Sequence, residues 1–224
     1  MKNRRIVPVL AATLLAFGSA ALAVQSEGKK KSDNASHKDK EHKEKALEIG
    51  AKVPDFSATD ASGKTVKFSD FAGKTVVLEW VNPGCPVCRK VTEGGQVAKM
   101  IADAKAIDPN VVFLMVNSTA AMASKPAETT DYLSKNKVAP TAALIDGDGK
   151  VGHLFGAKTT PHMFVVDSKG TLVYEGAFDD SEDRGDTPGK TNYVINALQQ
   201  LKDGKAVSPS TTKAYGCSVK YGKK

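Results

Sequence analysis

The sequence lacks the ligand spacing of a structural zinc site. Its three cysteines include one Cys-x-x-Cys, Cys85 and Cys88, but neither a second such pair nor a closely spaced His-His pair follows it. His153 and His162 stand nine residues apart, so local motifs do not supply four tetrahedral ligands. Also missing is an apolar run long enough to span a bilayer with ease. The best candidate, Ile6 to Phe17, follows Lys2, Arg4 and Arg5 and closes with Ala21-Leu22-Ala23. This is the layout of a secretory signal peptide, residues 1–23, with an uncleaved anchor as the alternative. No cysteine lies near the cleavage position, which argues against a lipoprotein, and Arg4-Arg5 alone makes no twin-arginine signal. Once the leader's three cations are removed, charge of one sign is scarce: the formal net charge falls from +7 to +4. That balance gives no reason to expect a nucleic-acid partner.

Apolar residues are almost absent from residues 24–46, where lysines alternate with Glu, Asp, Ser, His37 and His42. Such a segment cannot offset its ordering entropy by burial, so it reads as a disordered charged linker. A metal-binding histidine tract, or attachment to anionic lipid or nucleic acid, is the other reading. Acidic residues among the lysines and the lack of interleaved aromatics count against it.

What the chain does contain is Glu79-Trp80-Val81-Asn82-Pro83-Gly84-Cys85-Pro86-Val87-Cys88. An apolar strand gives way to a Pro-Gly turn, which delivers Cys85 to the start of a helix, where free backbone N–H groups and the helix dipole favour a thiolate. Pro86 suits the first helical position. Cys88, one turn on, can close a disulfide with Cys85 and reopen it by exchange. A static structural disulfide is the alternative for an exported protein, although so short a loop constrains the unfolded chain little. Glu79, six residues before Cys85, is a candidate proton acceptor for Cys88 if it is buried, or an outward carboxylate paired with a lysine such as Lys74. Trp80 is either a core residue or a lid that contacts substrate beside the dithiol.

Elsewhere the pattern alternates strands with helices from about Leu47 to Asp203. Val53 to Thr59 and Thr65 to Phe68 flank Ala61-Ser62-Gly63 as a hairpin. Thr75 to Val81 reads as a buried strand, Pro86 to about Ala106 as a helix weakened at Gly94-Gly95, and Val111 to Asn117 as a second buried strand. Pro126 to Asn136 reads as a helix, Thr141 to Ile145, Met163 to Asp167 and Thr171 to Glu175 as strands, and Thr191 to Leu201 as a closing helix. The expected architecture is a single α/β domain, residues 47–203, with a mixed sheet flanked by helices on both faces. A tail, residues 204–224, carries Cys217.

From roughly Gly50 to Asp203 the chain resembles the thioredoxin-like superfamily. The marks are the Cys-Pro-Val-Cys centre after a strand and the run Thr160-Pro161-His162-Met163-Phe164-Val165-Val166-Asp167. The resemblance implies a cis peptide before Pro161, lying against the cysteines, and a backbone edge at Thr160 on which an extended partner segment pairs. Asn82-Pro83-Gly84-Cys85-Pro86, Arg89-Lys90 and the tail Tyr215-Gly216-Cys217-Ser218-Val219-Lys220-Tyr221 resemble exported redoxins of the alkyl hydroperoxide reductase and thiol-specific antioxidant group. In that comparison Cys217 is a resolving thiol; read alone, it is equally a structural cysteine.

The function these features imply is disulfide exchange with protein partners in the periplasm or outside the cell. A redox recycling partner is required, a cofactor is not, and membrane contact comes only through the signal peptide. A thiol peroxidase is the alternative, with Cys85 attacking peroxide and Cys88 or Cys217 resolving the sulfenic acid. Against it, Asn82 and Leu78 stand where the peroxidase pattern has threonine and proline. A copper-binding chaperone holding Cu(I) between Cys85, Cys88 and His162 is a third reading. Two matches are superficial. Gly147-Asp148-Gly149-Lys150-Val151-Gly152 leaves no room for a dinucleotide crossover helix and reads as a turn before a short helix. Asp146-Gly147-Asp148 starts like a calcium loop, but Lys150 and Val151 break it.

Overall fold

The computed structural model describes residues 45–223. The expected signal peptide and nearly all of the expected linker, with His37 and His42, lie outside the described residues. The fold is built on β3 (Val76–Trp80) and β4 (Val112–Asn117), whose residues are all buried. Because both faces are covered, these strands read as unbroken apolar runs rather than alternating ones. They pair in parallel, Val76 opposite Val112, and β4 pairs in parallel with β5 (Ala142–Ile145). On the other side of β3 run β7 (Met163–Val166) and β8 (Leu172–Gly176), each antiparallel to its neighbour. The hairpin of β1 (Ser57–Asp60) and β2 (Thr65–Lys67) closes the far edge against β5. The seven-stranded order is β2-β1-β5-β4-β3-β7-β8.

This is the expected α/β arrangement, a mixed sheet of thioredoxin-like fold with helices on both faces. Side chains alternate along β3, so Val77 joins one core and Val76, Leu78 and Trp80 the other. The first core is roofed by α1 (Pro86–Glu93), α2 (Gln96–Ile107), α3 (Pro126–Lys135) and α5 (Tyr193–Lys202), the second by α4 (Lys150–Phe155).

Two elements differ from the sequence expectation. The single helix expected from Pro86 to Ala106 is two, because Gly95 adopts a left-handed φ of 76° between α1 and α2. Such a φ is open to glycine at little cost, and it turns the chain out of the first helix axis. The first strand begins at Ser57 rather than Val53. Lys52 bridges Thr171 and the Val53 amide donates to the Gly170 carbonyl at 2.9 Å, so these residues are tied to the turn before β8 instead.

Trp80 is fully buried in the second core between Phe155 and Phe164, at ring separations of 5.5 and 5.0 Å. Its indole N–H donates to the Ser118 hydroxyl at 2.9 Å. Trp80→Ala is therefore expected to destabilise the protein by about 3–5 kcal/mol. Urea unfolding followed by circular dichroism checks this, and a midpoint unchanged from wild type would contradict it.

Candidate functional site

At the end of β3 the backbone turns through Asn82, whose amide oxygen accepts from the Gly84 N–H at 2.8 Å, while the Cys85 N–H donates to the Asn82 carbonyl at 2.9 Å. This turn sets Cys85 at the N-cap of α1, with Pro86 next and exposed. The Cys88 N–H donates to Cys85 Sγ at 3.4 Å, the geometry by which a capping side chain satisfies a helix's free N–H groups. The Cys85 thiol donates to the Thr160 carbonyl at 3.0 Å, and the Thr160-Pro161 peptide is cis. Cys85, Cys88, Thr160 and Pro161 thus meet in one place. Both thiols are free.

The two sulfurs sit in opposite electrostatic conditions. Burial opposes ionisation of Cys85, but the neighbouring Cys217 and the Cys88 N–H that points at its sulfur outweigh it and hold its thiol below the ordinary value. Cys88 is fully buried, and burial, reinforced by the Glu79 charge, pushes its thiol far above the ordinary range. Glu79 faces the same core from β3, 1% exposed. Among the described residues neither of its oxygens has a hydrogen-bond partner, so it does not pair with Lys74, and burial pushes its carboxyl up to about 8. A carboxyl of that kind, beside a thiol that must lose a proton, has the chemistry of a proton acceptor.

Cys217 lies in a short strand, β9 (Cys217–Ser218), antiparallel to β6 (Thr159–Thr160), with Cys217 opposite Thr160. The edge expected to receive a partner segment is therefore occupied by this chain's own tail. Burial, then the neighbouring Cys85, push the Cys217 thiol up. The sequence carried no strand signal in so short a segment. Also illegible were the contacts that hold it: Tyr215 donates to the Asp179 carboxylate, and the Arg184 guanidinium donates to the Gly216 carbonyl at 2.9 Å. Gly216 before the cysteine was the one available clue. Tyr132, whose hydroxyl reaches the Cys88 carbonyl at 3.5 Å, was likewise missed.

Two expected roles are corrected. Trp80 belongs to the core on the opposite side of the sheet from the cysteines, so it is no substrate-contacting lid. The copper set does not form. His162 packs against Phe164 of that opposite core with the ring planes tilted by 48°, and its Nδ1 accepts from the Lys158 N–H at 3.2 Å. Burial, aided by Lys158, lowers its pKa to about 4. Among the described residues no three His, Cys, Asp or Glu side chains are grouped as metal ligands.

Residues 48–195 match the Redoxin family. The chain is 29% identical over 139 residues to the thiol-disulfide oxidoreductase ResA of Bacillus thuringiensis subsp. konkukian, covering 59% of this chain and 72% of that protein. In structure it is similar to an uncharacterized conserved protein from Geobacillus kaustophilus, with a TM-score of 0.70, 23% identity and coverage of 79% and 94% of the two chains. A hypothetical protein from Sinorhizobium meliloti 1021 gives a TM-score of 0.67, with 24% identity and coverage of 80% and 97%.

Proposed function

This chain belongs to the Redoxin family, and from that premise we propose that it is a thiol-disulfide oxidoreductase, exported from a bacterial cytoplasm, that works on protein partners through Cys85 and Cys88. The observation that carries this reading is the asymmetry of the two thiols: a capped, acidified Cys85 in front of a buried, basic Cys88. The Cys85 thiolate attacks a partner disulfide, forming one S–S bond to the partner and releasing the partner's other sulfur as a thiolate. Cys88 then gives its proton to Glu79 and attacks Cys85 Sγ. The mixed disulfide breaks, the second partner thiol leaves, and the Cys85–Cys88 disulfide remains. A separate redox partner restores the dithiol, and its potential decides whether the cycle reduces or oxidises substrates. The ResA relatives carry the name of the same activity.

Export rests on the basic, apolar and small-residue order of residues 1–23, and the chain has its place in the periplasm or outside the cell. Among the described residues no helix is long and apolar enough to cross a membrane.

Peroxide chemistry is less well served. The Asn82 amide, at the position of the peroxide-orienting threonine, is held in the turn by Gly84.

The purified protein is expected to accelerate reduction of insulin disulfides by a small dithiol, with Cys85→Ser returning the rate to background. Equal rates for the two proteins would sink the proposal. Rapid consumption of hydrogen peroxide by wild type, lost in Cys85→Ser and without insulin reduction, would replace it with the peroxidase.

A further inference from the structure

A nucleophile that attacks protein disulfides must be reachable, yet Cys85 is only 2% exposed. The cover is the tail. Beyond α5 the chain runs along β8, where the Thr212 N–H donates to the Glu175 carbonyl at 3.1 Å, then crosses the cysteine end of the sheet as β9. The Val219 N–H donates to the Lys158 carbonyl at 3.0 Å, so this segment is hydrogen-bonded on both sides of Cys217.

The approach is close because residue 216 has no side chain. A Cβ there would lie 2.7 Å from the Thr160 carbonyl carbon, and the φ of 146° is one that side chains rarely adopt. Tyr215 anchors one flank on Asp179. On the other, the Tyr221 ring stacks on His153 at 4.2 Å and its hydroxyl donates to the Ala157 carbonyl at 2.8 Å.

An extended segment antiparallel to Thr160, carrying a cysteine opposite the residue whose carbonyl Cys85 touches and packed against the same core, is what a protein substrate would offer by adding a strand. We propose that the tail strand is an internal substrate: it closes the docking edge against partners and places Cys217 to exchange with the dithiol, so that the protein holds a second internal disulfide, Cys85–Cys217. This deepens the exchange reading above and rests on it. In the oxidised protein Cys217, as thiolate, attacks Cys85 Sγ. The Cys85–Cys217 bond forms, the Cys85–Cys88 bond breaks, and Cys88 leaves with the proton that Cys217 gave up, with no net gain or loss of electrons. The Cys85–Cys217 form fastens the strand covalently over the edge, whereas the Cys85–Cys88 form leaves it held by hydrogen bonds and packing alone. A partner gains access by displacing the strand from that second form or from the dithiol.

The test uses the full chain in two measurements that do not need a protein partner. Oxidation of Cys88→Ser by diamide should give a Cys85–Cys217 disulfide within one chain, at a rate independent of protein concentration, identified by peptide mapping. Finding Cys85 and Cys217 unpaired, or joined only between chains, would overturn the internal disulfide. Alkylation of Cys85 by iodoacetamide in the reduced protein should quicken about tenfold in Gly216→Val, which expels the strand. Tyr221→Ala, remote from the cysteines, should give a smaller increase of the same sign. Unchanged alkylation in both variants, with cooperative unfolding retained, would overturn the closed edge. Insulin reduction in the same samples separates the failures: faster alkylation without exchange in any protein refutes the oxidoreductase and leaves the closed edge standing.

Discussion

Replacing both Cys88 and Cys217 by alanine is expected to stop the reaction halfway, with partner proteins accumulating as mixed disulfides on Cys85. Cys85 keeps its cap on α1 and its contact with the Thr160 carbonyl, so the first attack proceeds. No thiol then remains within reach to expel the partner. Turnover should fall on the order of 10³-fold or more, the scale of losing a reacting nucleophile. The single Cys88→Ala variant should trap less, because Cys217, opposite the Thr160 that Cys85 touches, can release the partner while closing the proposed Cys85–Cys217 bond. Non-reducing electrophoresis with mass mapping of a periplasmic extract reads both outcomes. A double variant that turns over at the wild-type rate, or that captures nothing, would exclude the proposed order of steps. Cys88 is buried in a well-packed core, so the alanine leaves a small void costing about 1 kcal/mol and the fold should survive.

The centre of this site was open to sequence reading, and its cover was not. Pro-Gly before Cys85 and Pro86 after it specify a turn and a helix start through local rules that act within a few residues. Thr160-Pro161 opening an apolar run was legible by resemblance, and the cis peptide stands there. Glu79 could be named but not oriented, because in a strand buried on both faces nothing in the pattern says which core a carboxylate enters. Trp80, one residue later, points to the other side for the same geometric reason. The tail escaped because its structure is decided over long range. Cys217 meets Thr160 across 57 positions, and it is held there by residues likewise distant along the chain, Asp179, Arg184, His153, Ala157 and Lys158 among them. Two residues of strand carry no periodicity to read. In sequence Gly94-Gly95 reads as a weakness within one helix, whereas the left-handed backbone at Gly95 makes it a boundary.

Glu79→Gln should slow exchange and stabilise the protein at once, and the two effects should separate by pH. The wild-type carboxyl is pushed up to about 8 by burial, from an ordinary 4.5. In the folded protein it therefore stays protonated through neutral pH, while in the unfolded chain it ionises above about 4.5. The folded state binds the extra proton between those values. Its stabilising effect is complete below pH 4.5 and is lost as pH rises through 8, where the buried carboxylate stands without a partner. A glutamine of the same shape carries no charge at any pH. The variant and wild type should match in stability near pH 4.5 and differ above pH 8 by on the order of 3–5 kcal/mol in the variant's favour. Activity should run the other way. Glu79 accepts the Cys88 proton only when ionised, so the wild-type resolution step should quicken as pH rises and level off near 8. In the variant that rise should vanish and the step should slow about 100-fold. Urea unfolding and stopped-flow exchange at several pH values between 5 and 9 measure both. A variant that gains stability but keeps the wild-type pH profile would leave Glu79 as a buried charge with no part in the chemistry, and the proton from Cys88 would need another acceptor.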